Sequence, residues 1–281
     1  MPLPWWKGGL RLGALAALVI GLPGALPAQV TLGADAGVFS AYVWRGLSLT
    51  NRPVLQPDAW LSVPAGGGSF LLSGWANVDL GRYNDPSDEL SEGGGTGSLN
   101  VTEVDLTAEY GHGLGAGLSG AVGAIVYLFP NDAGFTDDLN TTEIYGRLQA
   151  SRLPLAPKVT VWYDVNKVKG AYIEANVSQA LPIKALPITL GATAAFSAGQ
   201  AVNRADPGEV ANFKENGFVH GDLYATASLA AGPVTIAPAV HFHLCNDEFV
   251  KVTSPTSTSD AKLWAGFSVS WSRALGATRA E

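Results

Sequence analysis

From Leu32 to Arg273 the chain repeats one unit, a stretch of about ten residues in which apolar side chains alternate with polar or small ones. Between Ser69 and Leu80, Phe70, Leu72, Gly74, Ala76, Val78 and Leu80 share one parity, and Ser69, Ser73, Trp75, Asn77 and Asp79 share the other. Successive side chains on an extended strand point to opposite faces, so this pattern builds a strand with one greasy and one polar side. A soluble sandwich hides the greasy face against a second sheet, whereas a membrane barrel turns it to lipid and lines its lumen with the polar face. Parity alone does not separate these two.

The connections do. Twelve strands are expected, at 32–46, 53–64, 69–80, 101–111, 116–129, 140–151, 158–166, 170–181, 187–197, 217–230, 233–244 and 261–273. Links after the second, fourth, sixth, eighth and tenth are short. Those after the third, fifth, ninth and eleventh are longer and polar, and those after the first and seventh are short although they fall on the longer-loop side. Short turns at one end and longer loops at the other characterise outer-membrane barrels, which in bacterial single chains have an even strand number. The expected fold is therefore all-β, a transmembrane antiparallel up-and-down β-barrel with both termini in the periplasm. Pro57 and Pro238 fall inside expected strands; since proline cannot donate to a ladder, those strands are expected to be bulged or shorter.

Residues 1–28 have the layout of an export signal: Lys7 and Arg11, then the apolar run Leu12 to Leu22, then small residues up to Ala28. The run is too short for the ~20 residues of a spanning helix, so residues 29–281 are expected to form a single barrel domain. Cleavage leaves 15 Lys and Arg against 24 Asp and Glu, a net charge of -9, which disfavours nucleic acid as a partner and leaves outer-membrane lipids and small solutes. Charged residues make up 15% of the chain, well below the ~25% of soluble domains. The single cysteine, Cys245, excludes an intramolecular disulfide.

The lumen-facing parity gathers ionisable groups: Asp58, Asp79, Glu103, Asp105, Glu109, Glu143, Arg147, Lys158, Asp164 and Glu174. Opposed acids and bases in a pore bias which solutes pass. Paired across a closed barrel, the same groups simply hold its interior together. His241, His243 and Cys245 recur on one face of a strand with Asp247 just beyond, a weak metal-ligand row, because same-face neighbours lie about 7 Å apart. A polar lumen row is the plainer reading. No Gly-x-Ser-x-Gly or His-Glu-x-x-His pattern occurs, and the Gly115, Gly117, Gly120 spacing opens a strand instead of a helix. Neither an enzyme nor a cofactor is expected. Phe70, Tyr110, Phe129, Tyr163 and Phe196 lie near strand ends and fit interfacial aromatic girdles.

Ser40, Tyr42, Arg45 and Gly46 together resemble the Ser-x-Tyr-x-x-Arg-Gly opening of the TorF family of outer-membrane porins. Glu103-Val-Asp105, Val126 to Pro130, Glu143 to Tyr145 and Ala171 to Glu174 are similar to that family's later acidic and aromatic strand motifs, so the resemblance spans most of residues 33–273. It implies an exported barrel and a channel, names no solute, and by position makes Arg45, Asp105, Glu143 and Glu174 lumen candidates. The resulting expectation is a narrow porin for passive diffusion of small solutes. Two alternatives stand beside it: a closed structural or adhesive barrel, and a lipid-modifying barrel enzyme using His220 or His241 beside a serine.

Overall fold

The computed structural model describes residues 29–50, 52–81, 99–130, 139–181, 183, 186–201, 210–245 and 261–275. The export segment and Asp247 lie outside them. The described residues form fifteen strands: β1 (Val30–Phe39), β2 (Tyr42–Trp44), β3 (Leu47–Thr50), β4 (Val54–Ala65), β5 (Gly68–Asp79), β6 (Asn100–Gly115), β7 (Leu118–Leu128), β8 (Thr141–Ala150), β9 (Lys158–Asp164), β10 (Ala171–Leu181), β11 (Ile188–Ala198), β12 (Gly217–Ala227), β13 (Leu229–Ala231), β14 (Val234–Cys245) and β15 (Ala261–Leu275).

All but β2 and β3 belong to one antiparallel sheet in which chain neighbours pair, apart from the inserted β2 and β3. The sheet closes because β1 pairs with β15 along its whole length, Val30 opposite Leu275 and Phe39 opposite Gly266. β12 and β13 pair with β14 in one continuous register, so they form a single interrupted strand and the barrel has twelve. Closure removes every sheet edge, the condition for a sheet to cross lipid, where an unpaired peptide group costs several kcal/mol.

Parity sorts the side chains as the alternation requires. Val122, Leu148 and Leu263 point outward and are 62, 55 and 70% exposed, as are Leu106, Ile144, Val161, Leu190, Leu223 and Phe267. In water such a girdling apolar surface far exceeds what monomeric proteins carry. Against acyl chains it is the satisfied face.

The prolines act differently from expectation. Pro57 stays in register with Ala36 on one side, while on the other the β4–β5 ladder runs Leu55 to Val78 and resumes at Asp58 to Trp75. Pro238 pairs with Phe267, and the gap between β12 and β13 lies opposite it. Neither strand is bulged or shortened; the missing N–H only interrupts one ladder locally.

The larger correction concerns the first strand. It ends at Phe39, not residue 46, and Tyr42 to Thr50 form a separate hairpin, β2–β3. The link on that side therefore runs from Ser40 to Pro53, a long connection like those that follow β5, β7, β11 and β14. Trp44 pairs with Leu47, so Arg45 and Gly46 are the whole turn. Their φ values of 48° and 89° place both in the positive region of a two-residue hairpin turn, which glycine adopts freely.

Candidate functional site: the plugged lumen

The hairpin folds into the barrel from the long-loop end and packs inside its lumen. Tyr42, Leu47 and Leu49 join Val54, Tyr172, Ala195, Phe213 and Val219 in a buried apolar cluster. Phe213 belongs to a second inward segment, held where the backbone N–H groups of Asn212 and Phe213 donate to the Gln200 carbonyl at 3.1 Å. An apolar cluster inside a lumen lined by polar parity is possible only because the hairpin brings its own greasy face.

Arg45 at the hairpin tip makes the most specific contact. Its guanidinium donates through both terminal nitrogens to the Glu143 carboxylate, at 2.7 and 2.5 Å, and the side chains are 7% and 2% exposed. The Tyr127 hydroxyl donates a third bond to Glu143 at 2.9 Å. Above and beside the guanidinium lie the rings of Tyr172 at 4.3 Å, Trp44 at 4.5 Å and Trp162 at 5.5 Å. A buried ion pair recovers its desolvation cost only with such geometry and added hydrogen bonds, and the ring faces add cation–π attraction, worth about 2 kcal/mol when desolvated.

Further polar anchors surround the tip. Tyr42 donates to Glu103 at 2.7 Å, Lys262 donates to Ser48 at 2.5 Å, and the Thr50 hydroxyl reaches Asp79 at 3.5 Å. Gly46 lies against two imidazoles: a Cβ there would come within 3.0 Å of His220 Cγ and His243 Nε2.

The sequence-derived acids and bases all lie on the inward parity, but the structure gives them different surroundings. Glu103 and Glu143 hold the hairpin. Asp164 accepts from Thr141 at 2.7 Å and from the backbone N–H groups of Asn166, Lys167 and Val168, so it closes the tight β9–β10 turn. That carboxylate explains a short link at the long-loop end. Glu109 accepts from Tyr145 and Arg147, both at 2.6 Å. Glu174 sits diagonally from Lys158 on the neighbouring strand. Asp58, opposite Asp35, and Asp105 each keep one buried carboxylate oxygen without a hydrogen-bond partner among the described residues.

His241 and His243 of the histidine row both face Asp222, at 2.8 and 3.9 Å, and the Cys245 side chain lies outside the described residues. His241 stacks on Trp264 with ring centroids 3.9 Å apart and bonds Asp222 at 2.8 Å, while His243 leans on His220, 4.8 Å between centroids. No metal-binding group of three side chains forms among the described residues. His220 shares a hydrogen bond with the Tyr172 hydroxyl at 2.7 Å, and the hydrogen-bond partner of His241 is Asp222.

Of the expected girdle residues, Phe70 and Tyr110 form an outward pair with centroids 4.9 Å apart, and Tyr163 and Phe196 are outward and exposed. Phe129 is not part of a girdle: it shares the inward parity of Tyr127 and lines a lumen cavity. Most described tryptophans also face inward. Trp60 and Tyr224 each lie across a glycine of the neighbouring strand, Gly33 and Gly191 respectively, at positions where any Cβ would collide with the ring. Trp162, Tyr127 and Tyr172, which surround the Arg45–Glu143 pair, are the residues that a charge-based reading passes over. Their inward parity beside Glu143 was the available signal.

Between the hairpin and the β6–β9 wall lies a cavity of about 210 Å³, lined mainly by Trp44, Leu47, Leu49, Phe129, Leu139, Val168 and Val210. Glu103, Tyr127, Glu143, Asp164 and Lys167 also reach it.

A closed antiparallel barrel with an apolar exterior and a polar interior stoppered by its own hairpin is a transmembrane β-barrel of the plugged class. Residues 25–215 match the family model described as "Bacterial protein of unknown function (Gcw_chp)", and the chain belongs to that family. No curated protein matches the sequence. Solved barrels with a similar backbone path include LpxR from Salmonella typhimurium, at a TM-score of 0.48 and 8% identity over 86% of this chain and 99% of that one. An outer membrane channel from Pseudomonas putida gives 0.48 and 12% over 89% and 97%. Outer membrane phospholipase A from Escherichia coli gives 0.42 and 11% over 86% and 95%.

Proposed function

We propose that the protein is an outer-membrane channel for small, preferentially cationic solutes, closed in this conformation by the β2–β3 hairpin. The observation that carries this reading is the nature of the stopper. It is a short hairpin joined to the wall strands β1 and β4 and held to the lumen wall by exchangeable contacts, Arg45 to Glu143, Tyr42 to Glu103 and Lys262 to Ser48. Around it the lumen carries more carboxylates than cations, with Asp35, Asp58, Asp105, Glu109 and Glu174 set against Arg147 and Lys158, and rings of acids favour cations. The resemblance to TorF-family porins and the export-like N-terminus support an outer-membrane location. Both described ends of the chain lie at the short-turn end, which corresponds to a periplasmic side.

Single-channel recording of refolded protein tests this. The wild type is expected to show infrequent openings and a cation-selective reversal potential, and Arg45→Ala is expected to raise the open fraction. Silence from both proteins over a range of salts and voltages overturns the channel reading.

A second reading, a permanently closed structural barrel, draws on the burial of Arg45 and Glu143. It predicts that silence, together with unchanged behaviour on neutralising Asp105 or Arg147.

A further inference from the structure

We propose that Glu143, Tyr127, Trp162 and Tyr172 form a binding site for guanidinium-bearing solutes, and that Arg45 is its built-in occupant. The inference extends the channel reading by naming a solute class.

All four groups stand on wall strands, β7 to β10, and would remain in place if the hairpin withdrew; only Trp44 leaves with it. Together they supply what a planar, delocalised cation needs. The Glu143 carboxylate presents two oxygens to the two parallel N–H bonds of a guanidinium. The Tyr127 hydroxyl fixes that carboxylate, and the Tyr172 and Trp162 rings offer faces to the cation. An ammonium is a compact, strongly hydrated point charge and fits such a fork and ring pair poorly.

A cavity adjoins the site on its long-loop side. The cavity beside the hairpin includes Glu143, Tyr127 and Trp44 among its lining residues, so a solute entering it meets the carboxylate that Arg45 holds. Its volume of about 210 Å³ exceeds the ~150 Å³ cavity that admits benzene, room for a guanidinium on a short alkyl stem. The apolar walls, Leu47, Leu49, Phe129 and Leu139, suit that stem. Lys167 also lines the cavity and disfavours a second positive charge at the far end.

Arg45 competes as a tethered ligand, and a short tether gives an effective concentration on the order of millimolar. A free guanidinium solute must therefore displace it in the wild type but meets a vacant site once the Arg45 charge is removed.

The test is titration of the refolded protein in detergent micelles with ethylguanidinium chloride, read by tryptophan fluorescence, with ethylammonium chloride and sodium chloride at matched ionic strength. Arg45→Ala is expected to saturate at least about tenfold lower in ethylguanidinium than the wild type, and to bind ethylammonium at least about tenfold more weakly. Adding Glu143→Gln is expected to abolish saturation. Arg45→Met, which keeps packing along the stem while vacating the charge, is measured alongside in case the alanine variant does not fold. Equal responses of wild type and folded variants, or equal responses to the two cations, overturn the inference. Conductance separates the two claims: binding without any conductance leaves the site standing and sinks the channel, whereas cation-selective openings without binding sink the site alone.

Discussion

The coupling between Arg45 and Glu143 is large enough to measure as a double-mutant cycle. Arg45→Met strands a carboxylate that is 2% exposed, with the Tyr127 hydroxyl still donating to it at 2.9 Å; Glu143→Gln strands a guanidinium that is 7% exposed among three aromatic rings. Removing one partner of a buried pair costs about 3–5 kcal/mol, chiefly through the uncompensated charge left behind. The double variant leaves neither charge, so it should be less damaged than the sum of the singles by about 2–3 kcal/mol, within the range seen for contacting residues. Urea unfolding in lipid vesicles, followed by tryptophan fluorescence, reads all four proteins. Urea is preferred to guanidinium chloride, which would occupy the site under study. Additivity within about 0.5 kcal/mol refutes the reasoning, because it is the behaviour of a screened surface pair, worth about 0–1 kcal/mol.

Gly46→Ala forces a side chain into φ 89° and within 3.0 Å of His220 and His243. It should cost about 1–3 kcal/mol from backbone strain alone, against little change for Gly113→Ala, where an added Cβ meets nothing within 4 Å; urea midpoints compare the two. Val122→Lys, near the middle of the outer face, should lower stability in vesicles by about 2–4 kcal/mol, whereas an exposed site on a soluble protein would change by about 0.5 kcal/mol or less. Asp105→Asn should move the reversal potential of the open channel toward zero under a salt gradient, and an unchanged potential would remove Asp105 from the conduction path.

The wall of the barrel was legible because each of its strands has one face in lipid and one in the lumen. Ser69 to Leu80 could take only one orientation, and β5 has it. The hairpin is hidden by the same alternation. Tyr42, Val43, Trp44 and Arg45 continue the alternation of β1, and a period of two reports that a segment is extended without reporting which strand it pairs with. The clue lay in Arg45-Gly46 between two alternating runs, and in the implausibly short link that a strand reaching residue 46 left at the long-loop end. The charged set carried a similar limit. Glu109 and Asp164 have the same parity, yet one receives Tyr145 and Arg147 in the lumen and the other caps a turn, a difference made by neighbours distant in the chain.

By itself, then, the sequence determined the local quantities: extended backbone, the face each side chain takes, the turns, and a chain suited to a closed sheet in lipid. These follow from periodicity and from the cost of an unpaired peptide group in hydrocarbon. Only the tertiary structure decided that the lumen is stoppered, and by what. Glu143 became a guanidinium site when β7, β8, β9 and β10 set Tyr127, Trp162 and Tyr172 around it and a hairpin from far earlier in the chain delivered Arg45. Burial of a charge is favourable only when every partner arrives together, and that condition belongs to the closed barrel.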